Sequence, residues 1–466
     1  MLSDPKVTIL GRDPTHRKHA INGYAFQQDA ITSFNGWQYA VFYSTVTPDS
    51  ASEPLFVHLA RRQLPDGPWE IIVFEDYPQT TDDGHNTVQM GICPGDGTIH
   101  LSYDHHCDVL RYRHSVRNLA QDPTAFQWDP SLFTPTLDYL PGLSASSHDK
   151  HFAYVTYPRL GALGSTGAMF LSLRDGKAGL GSDHLYLYRG SGGATGSWEF
   201  VGTPLTGLQS NPYVHGWDFS MSSSGGDSGD REYGGGDGRL HVTWVWRGFV
   251  WYEGWDDPED TKHKTQAGPN GAENNRDICY AYSDDLGHTW RNGEGVVAAD
   301  LRKGETIDDS DAAGVVAFRI PKGSGLMNQE SQVVDRDGGV HVLNRDTLDG
   351  GEHMWKHYYR SPDGTWISRS IKTIDGPRRG RLAVTRDGDL LIILPGTTTP
   401  TMTILKATKT SGYADYEEAW TGKGLLGEPL VDGPRLEKEN ILSVFVRRDV
   451  ENSEGERVVA VLDFQL

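Results

Sequence analysis

The sequence predicts an all-β protein built as a β-propeller, and three observations support this fold class. A turn-and-strand phrase recurs along the chain, and one octapeptide matches a turn motif typical of propeller hairpins. The 466 residues also include 55 glycines, 13 tryptophans and 20 tyrosines, a composition that suits many short strands joined by tight turns. Helical patterns are confined to residues 115–120 and 415–420, which are too short to form a layer.

The recurring phrase is an Asp-Gly turn followed by a β-branched or leucine-rich strand. Full copies begin at Asp96, Asp237 and Asp337, and each carries a histidine four residues later. A weaker copy without the histidine begins at Asp387. Because Asp237 and Asp337 are 100 residues apart and Asp387 follows 50 residues later, the spacing predicts a repeat of about 50 residues with one degenerate copy.

A second motif, SDDLGHTW at residues 283–290, matches the Asp-box pattern S-x-D-x-G-x-T-W. In such a turn the aspartate accepts backbone N–H groups, the glycine adopts a conformation that other residues resist, and the tryptophan fills the space between strands. Residues 361–366, SPDGTW, form a shortened copy. Asp boxes mark a fold, so we do not predict a catalytic role for these residues.

A closed ring of blades would occupy residues 1–466 as one domain. The glycine-rich stretches 190–196 and 222–238 are then expected to be surface loops. Three cysteines, Cys93, Cys107 and Cys279, show neither a disulfide framework nor a CxxC metal spacing. We expect them to be small buried residues.

The formal net charge is −20, because 63 acidic residues outnumber 43 basic ones. This balance argues against nucleic acid as a partner, since phosphate neutralisation needs basic patches. It also disfavours a long polyanion more than a short or terminal acidic group. No apolar run is long enough to span a membrane, and no signal peptide is visible at the N-terminus.

Residues 85–106 are the most informative segment for function. A turn at residues 94–97 separates two β-type runs, so chain reversal can bring His85 to the same end of a hairpin as His105 and His106. Imidazole is the side chain best suited to transfer a proton near neutral pH. The alternative interpretation is a structural histidine at each of the three positions.

Further polar side chains lie at the ends of predicted strands, dispersed along the chain. Pro158 cannot lie in the middle of a sheet, which places Tyr157 and Arg159 at a strand end. The other residues of this kind are Arg174, Arg247, Asn275, Arg276, Arg319 and Gln329. Propeller sites gather side chains from several blades near the central axis, so the arginines predict a cationic rim on one face of the ring. The alternative for each arginine is a surface salt bridge.

The chain resembles the BNR-type seven-bladed propeller polysaccharide lyases in the phrases HNTVQMGI, DGTIHLSYDHHCDVLRYRHS, TYPRL, LSLRDG, WVWRG, NNRDICYAYSDDLGHTW and MNQES. This family includes ulvan lyases and the L-rhamnose-α-1,4-D-glucuronate lyases that act on gum arabic and arabinogalactan side chains. The chain resembles the glucuronate lyases most, over residues 22–342. The resemblance implies a seven-bladed β-propeller of four-stranded antiparallel blades.

The reaction implied by the resemblance is β-elimination at a uronic acid, which leaves an unsaturated uronate. Donors such as arginine, asparagine or histidine must neutralise the carboxylate and stabilise the enolate-like charge. A base then removes H5 and an acid protonates the departing O4. In glucuronate both lie on one face of the ring, so one residue or two neighbours can perform both steps.

The resemblance also implies site residues. His85 is the expected base, and His105 matches the second active-site histidine. Tyr157 and Arg174 match the family's tyrosine and arginine, with Asn275 and Arg276 as rival clamps for the carboxylate. The remaining expected sugar contacts are Asn86, His106, Arg159, Trp246, Arg247, Arg319 and Gln329.

Three other functions stay open at this stage. An α-L-rhamnosidase on the same scaffold needs two carboxylic acids across the bond, for which Asp104, Asp108 and Glu330 are available. An ulvan lyase and a non-catalytic carbohydrate-binding propeller are the others. We expect an extracellular monomer with an acidic oligo- or polysaccharide substrate and no required cofactor. Zn²⁺ at the histidine hairpin and structural Ca²⁺ or another divalent metal in the propeller tunnel are possible.

Overall fold

The computed structural model describes most of the chain. The described residues are 1–24, 27, 29–47, 54–143, 151–176, 181–190, 196–207, 210–221, 238–248, 271–348, 350–374, 376–396, 398–450 and 455–466. Of the two glycine-rich stretches predicted to be loops, residues 191–195 and 222–237 lie outside this set. None of the described helices has the length and apolar character needed to cross a membrane.

Seven antiparallel sheets follow one another along the chain as the blades of a ring, which confirms the predicted seven-bladed propeller. The chain opens with β1 (Lys6–Arg12), the outer strand of blade 7. Blade 1 contains β2 (Ile31–Phe34), β3 (Trp37–Ser44), β4 (Leu55–Gln63) and β5 (Glu70–Gln79). Blade 2 contains β6 (Val88–Ile92) and β7 (Ile99–Tyr103), after which β8 (His106–Asp108) leaves for blade 3 and β9 (Tyr112–His114) returns.

The next two blades are the largest. Blade 3 contains β10 (Val155–Ala162), β11 (Ala168–Asp175), β12 (Ser182–Arg189) and β13 (Ser197–Leu205), with β8 added beside β10. Blade 4 contains β14 (Ser210–Met221), β15 (Gly238–Gly248), β16 (Asn275–Ser283), β17 (Thr289–Arg291) and β18 (Val297–Asp300), with β19 (Val316–Phe318) paired to β16.

The last three blades have four strands each. Blade 5 contains β20 (Ser331–Val334), β21 (Val340–Asp346), β22 (Met354–Arg360) and β23 (Trp366–Thr373). Blade 6 contains β24 (Arg381–Val384), β25 (Leu390–Pro395), β26 (Thr401–Ala407) and β27 (Glu417–Lys423). Blade 7 contains β28 (Leu425–Val431), β29 (Ile441–Asp449), β30 (Arg457–Gln465) and β1.

Among the described residues, helical structure is limited to short pieces. The α-helix α1 (Gly433–Glu439) joins β28 to β29. Single 3₁₀ turns span Pro123–Ala125, Pro130–Leu132, Gly164–Thr166, Ala272–Asn274, Leu301–Lys303, Asp311–Ala313 and Lys409–Ser411. The two helices predicted from sequence are wrong, because residues 117–121 form a turn and residues 417–420 begin β27. Completing a sheet outweighs the weak helical preference of such short segments.

The ring closes because the first strand of the chain completes the last blade. β1 pairs antiparallel with β30, and two buried carboxylates tie this blade to blade 1. Asp463 accepts a hydrogen bond from Arg62 at 2.6 Å, and Asp432 accepts one from Gln38 at 2.7 Å. These charge-assisted bonds join strands nearly 400 residues apart in sequence, so the two ends of the chain are held at one seam.

Apolar side chains from facing sheets fill the spaces between the blades. One cluster joins Phe445 of blade 7, Phe42 of blade 1 and Leu101 of blade 2, all fully buried. Another joins Leu185 of blade 3 to Trp290 of blade 4. Packing between neighbours therefore holds the ring together, and the inner strands are positioned by the blades on both sides.

The repeat spacing predicted from sequence is wrong between the second and third copies. β15 begins at Gly238 and β21 at Val340, and these are second strands of adjacent blades, 4 and 5. Among the described residues, no separate sheet lies between these two blades. The long interval instead reflects an enlarged blade 4, whose described part includes β18 and β19 in addition to the usual four strands.

The Asp box is the turn between β16 and β17. The carboxylate of Asp285 accepts hydrogen bonds from the Ser283 hydroxyl (2.8 Å) and the Thr289 backbone N–H (2.7 Å). Gly287 has φ 94°, a left-handed conformation that favours glycine. Trp290 is fully buried and packs edge-on against Trp217. The motif therefore stabilises blade 4.

The repeated histidines are buried hydrogen-bonding groups in the second strands of blades 2, 4 and 5. In each, one ring nitrogen contacts a side chain of the third strand: the pairs are His100–Tyr112 (2.5 Å), His241–Tyr280 (2.9 Å) and His341–His357 (3.0 Å). Burial is the largest effect on His241 and lowers its pKa to about 3. The recurring histidine therefore stabilises the fold as a neutral side chain.

We expect His241→Leu to lower the free energy of unfolding near neutral pH by about 1–3 kcal/mol, because the buried hydroxyls of Ser220 and Tyr280 lose their partner. The difference in the free energy of unfolding between wild type and variant should narrow as the pH falls below 6.5, the ordinary pKa of histidine. The pKa of His241 is depressed in the folded state, so the unfolded chain binds the proton first. The free energy of unfolding of the wild type therefore falls by about 1.4 kcal/mol per pH unit from this group. Urea denaturation at several pH values measures the difference, and a constant value would contradict the assignment.

Candidate active site

A β-bulge in the inner strand of blade 3 presents Tyr157. Thr156 of β10 pairs with Arg174 of β11, but the register shifts before the next pair, at Arg159. Tyr157 has φ 54°, a conformation uncommon for a large side chain, and Pro158 has no N–H to offer the ladder. Bulges of this kind re-aim a side chain. Here the Tyr157 ring lies 5.8 Å from that of His85.

Asp83 orients two stacked imidazoles. Its Oδ1 accepts the backbone N–H of His85 (2.9 Å) and bonds the Nδ1 of the same residue (2.6 Å), while Oδ2 bonds the Nδ1 of His106 (2.7 Å). The two rings lie 3.9 Å apart at an interplanar angle of 20°. Because a carboxylate only accepts, both Nδ1 atoms carry the proton and Nε2 is the basic nitrogen of each ring.

The electrostatics of this trio follow from partial burial and the shared carboxylate. Burial is the largest effect on His85, and with the charge of His106 it lowers the pKa of His85 to about 4 even though Asp83 acts in the opposite direction. Burial alone would raise the pKa of Asp83, but the hydrogen bonds from the His85 backbone and both imidazoles hold it well below its usual range. At neutral pH the trio is therefore a carboxylate beside a neutral His85.

Arg174 provides a cationic group next to Tyr157. Its guanidinium carbon lies 4.8 Å from the centre of the Tyr157 ring and 5.9 Å from that of Tyr213. The residue is only 3% exposed, and its Nε has no hydrogen-bond partner among the described residues. Burial is the largest effect on Tyr157, and it raises the pKa of the phenol to about 12 despite the positive charges of Arg174, Arg379 and Arg247. The phenol therefore stays protonated.

Blade 4 adds a second arginine through Tyr213. Arg247 stacks on the Tyr213 ring at 4.4 Å, and its Nε donates to Asn275 Oδ1 at 2.8 Å. Asn275 in turn donates to the backbone carbonyl of Leu326. These contacts hold Arg247 and Asn275 as one unit beside the aromatic pair.

His105 and His106 have different surroundings. The backbone is left-handed on both sides of the pair, with φ 63° at Asp104 and 58° at Cys107. His106 begins β8 and stacks on His85, whereas His105 is 1% exposed and its Nε2 accepts the backbone N–H of Arg111 at 2.8 Å. Burial holds the pKa of His105 well below its ordinary value. The structure thus brings His106 to His85 and gives His105 a backbone partner.

Three of the predicted sugar contacts are enclosed by protein. Asn86 is fully buried and donates to Asp104 at 2.8 Å. Trp246 is 1% exposed and packs edge-on against Trp244 in the core between blades 3 and 4. Arg159 is 5% exposed and donates to the Val214 carbonyl. These contacts with protein groups favour structural roles for all three.

The rival clamp Arg276 is already paired with acidic groups. It donates to Asp277 and Asp309, both at 2.8 Å. Arg319 pairs with Asp277 and Asp311 and is largely exposed. A guanidinium that holds two carboxylates has little capacity for a third, so the geometry favours Arg174 as the clamp. Gln329 is buried at a left-handed φ of 46°, and its Oε1 has no hydrogen-bond partner in the described part of the chain.

The carboxylates proposed for a hydrolase are separated and engaged. Asp104 accepts hydrogen bonds from Tyr77 (2.6 Å) and Asn86 (2.8 Å). Glu330 is buried in an ion pair with Arg345. Asp108 lies 3.6 Å from Arg111. Near the candidate residues, two histidines bind Asp83, and Asp183 is buried opposite Arg174.

Metal ligands come together at two places among the described residues, the Asp83, His85 and His106 trio and a second cluster formed by His151, Asp175 and His184. In the trio both Nδ1 atoms bond the carboxylate directly, which suits proton transfer better than an ion. Elsewhere in the ring, burial raises the pKa values of Asp29 and Asp218 to about 6, and the charges of Arg381 and Arg159 act in the opposite direction on both. These arginines supply positive charge to the two carboxylates, and a metal in the propeller tunnel stays a prediction.

Sequence reasoning did not identify Asp83 or Tyr213. Asp83 belongs to a polar turn, where aspartate usually caps the backbone. Tyr213 follows Pro212, as Tyr157 precedes Pro158, so a tyrosine beside a proline in two successive inner strands was the available signal.

Residues 37–374 match the BNR repeat-containing family, and this protein belongs to it. No curated protein matches the chain in sequence. Among solved structures, the polysaccharide lyase Uly1 superposes with a TM-score of 0.68 at 16% identity, covering 100% of this chain and 99% of that one. A PL25 ulvan lyase, also solved bound to -[GlcA(1-4)Rha3S]-, superposes at 0.60 with 14% identity, covering 97% and 95%. At these identities the likeness shows a shared fold.

We expect Asp83→Asn to lower the pKa of His85 further, because the carboxylate raises it through a hydrogen bond and through charge. NMR titration of the His85 ring measures the change. Asp82→Asn is the matched control, since this neighbouring carboxylate bonds His19 instead. An unchanged His85 pKa in Asp83→Asn would show that the trio does not form.

Proposed function

We propose that this protein is a polysaccharide lyase that cleaves the rhamnose-α-1,4-glucuronate bond of gum arabic and arabinogalactan side chains by β-elimination. The observation that carries the proposal is the grouping of His85, Tyr157 and Arg174, which puts a neutral base, a protonated phenol and a buried guanidinium side by side. These are the three groups that elimination at a uronic acid requires.

Arg174 is the proposed clamp for the uronate carboxylate. Neutralising this group makes the C5 hydrogen acidic enough to remove, and a buried guanidinium does so with little competition from water. The aromatic rings of Tyr157 and Tyr213 fix its orientation. Arg247 and Asn275 supply further donors for the same carboxylate or the neighbouring hydroxyls.

His85 is the proposed base for H5. Asp83 holds the ring in the tautomer with a basic Nε2 and stabilises the imidazolium that forms. Tyr157 is the proposed acid, because its hydroxyl is protonated and can pass its proton to the departing O4. H5 and O4 share one face of glucuronate, which matches a base and an acid with rings 5.8 Å apart.

Charge favours an uncharged rhamnose cap over a sulfated polymer. The chain carries a formal charge of −20, and Arg276 and Arg319 are paired with aspartates. A sulfated rhamnan needs open cationic groups along its length. The fold likeness to an ulvan lyase keeps ulvan as the second candidate substrate. We also propose that the enzyme acts outside the cell as a monomer, where such polysaccharides occur.

An α-L-rhamnosidase and a non-catalytic binding propeller fit the site less well. A glycosidase normally places two carboxyl groups across the scissile bond, but here Asp83 is bonded to two imidazoles and Asp183 is buried beside the charge of Arg174. A binding module has no need of a basic imidazole held by a carboxylate next to a protonated phenol.

The purified protein should release rhamnose from gum arabic and leave a product that absorbs ultraviolet light, because elimination conjugates a new C4–C5 double bond with the carboxylate. Ulvan and an unrelated uronan are the comparison substrates. Rhamnose release with an intact glucuronate would indicate a hydrolase instead. An ultraviolet-absorbing product formed only from ulvan would support lyase activity but contradict the proposed gum arabic substrate.

We expect His85→Ala and Tyr157→Phe each to lower kcat by about 10²- to 10⁴-fold, since each removes a proton-transfer group. Arg174→Lys should lower kcat/KM strongly, because a lysine cannot bind a carboxylate in the same bidentate way. The matched control is Arg189→Lys, at the exposed end of β12. Circular dichroism verifies folding, and wild-type rates for Tyr157→Phe would refute its role as the acid.

A further inference from the structure

A second cluster of metal-binding side chains lies in blade 3, apart from the Asp83 trio. His151 precedes β10, Asp175 ends β11 and His184 lies in β12, opposite Leu173. Both histidines are buried, at 8% and 6% exposure. His151 Nδ1 lies 3.1 Å from His184 Nε2, and His184 Nε2 lies 3.6 Å from an Asp175 oxygen. One ligand atom from each residue falls within 4.8 Å of the others.

These separations fit the edges of a tetrahedral metal site. Zn²⁺ binds histidine nitrogen and carboxylate oxygen at about 2.0–2.2 Å, which puts neighbouring ligands roughly 3.4 Å apart. The two measured separations lie on either side of that value. Two imidazoles and one carboxylate form a common zinc ligand set, and they leave a fourth position for water.

The surroundings of the cluster also suit a metal. His184 Nδ1 contacts the hydroxyl of Thr203 at 2.8 Å, while Nε2 faces His151 and Asp175. In the tautomer with the proton on Nδ1, Thr203 accepts that proton and the lone pair of Nε2 is directed to the cluster. The Phe200 ring lies 4.8 Å from that of His151 and 5.8 Å from that of His184. An outer hydrogen bond and an apolar cover are the usual support of a histidine ligand.

We propose that His151, Asp175 and His184 bind a divalent transition metal, with Zn²⁺ as the best fit. The ion would join the segment before β10 to the ends of β11 and β12. Asp175 directly follows Arg174 in β11, so the ion would brace the strand end that presents Arg174. The proposal rests on blade 3 alone and does not depend on the substrate or reaction proposed above.

The full-length protein, stripped with a chelator and titrated with Zn²⁺ alone, provides the test. Elemental analysis after gel filtration should find one Zn²⁺ per chain in the wild type, and Zn²⁺ should raise the thermal midpoint, because a ligand that binds the folded state stabilises it. His184→Ala and Asp175→Asn should each lose both effects. Thr203→Val should weaken binding by about 10- to 100-fold while keeping the stoichiometry.

Two control variants separate this site from other histidines. His106→Ala removes a member of the Asp83 trio, and His19→Ala removes an exposed histidine that contacts Asp82. Both should still bind Zn²⁺. Loss of the ion in His106→Ala with retention in His184→Ala would move the site to the trio and overturn the proposal. A wild type that binds no Zn²⁺ would overturn it as well. If His184→Ala does not fold, Asp175→Asn and Thr203→Val decide the outcome.

Discussion

The closure of the ring is the constraint on which the rest of the structure depends. Every inner strand occupies its place only because blade 7 is completed by β1 and bound to blade 1 through Asp432 and Asp463. A ring has no free sheet edge at its seam, so each blade packs on two neighbours and has little freedom to tilt. Side chains beside blades 2, 3 and 4 can then meet, although they are far apart in sequence.

Arginine serves different purposes in this acidic protein. Arg62, Arg276 and Arg345 meet carboxylates and stabilise the fold or its surface. Arg174 instead lies between two tyrosine rings, and its Nε has no hydrogen-bond partner among the described residues. The buried carboxylate of Asp183 faces Arg174 in the ladder between β11 and β12 and balances part of its charge. The open Nε and the aromatic surroundings distinguish Arg174 from the arginines that are held directly by a carboxylate, and they support the proposed role of Arg174 as a carboxylate clamp.

The ring was predictable because its signals are local: Asp-Gly turns, an Asp box and short strands show directly in the sequence. Candidate residues such as His85, Tyr157 and Arg174 were also identifiable, and the structure brings them together. Which of His105 and His106 stacks on His85 was not predictable, because the stacking depends on the left-handed turns at Asp104 and Cys107 that carry β8 to another blade. The size of blade 4 was not predictable either, because its additional strands produce no repeat in the sequence.

Because β8 passes from blade 2 to blade 3, the stacking of His106 on His85 depends on the contact between these two blades. His106 is held by Asp83 before blade 2, yet its own strand is hydrogen-bonded to β10. A small separation of these two blades would pull the stacked imidazoles apart while most of the ring stayed intact. The proposed lyase activity should therefore disappear at milder denaturing conditions than global structure, so that its loss would report local opening early.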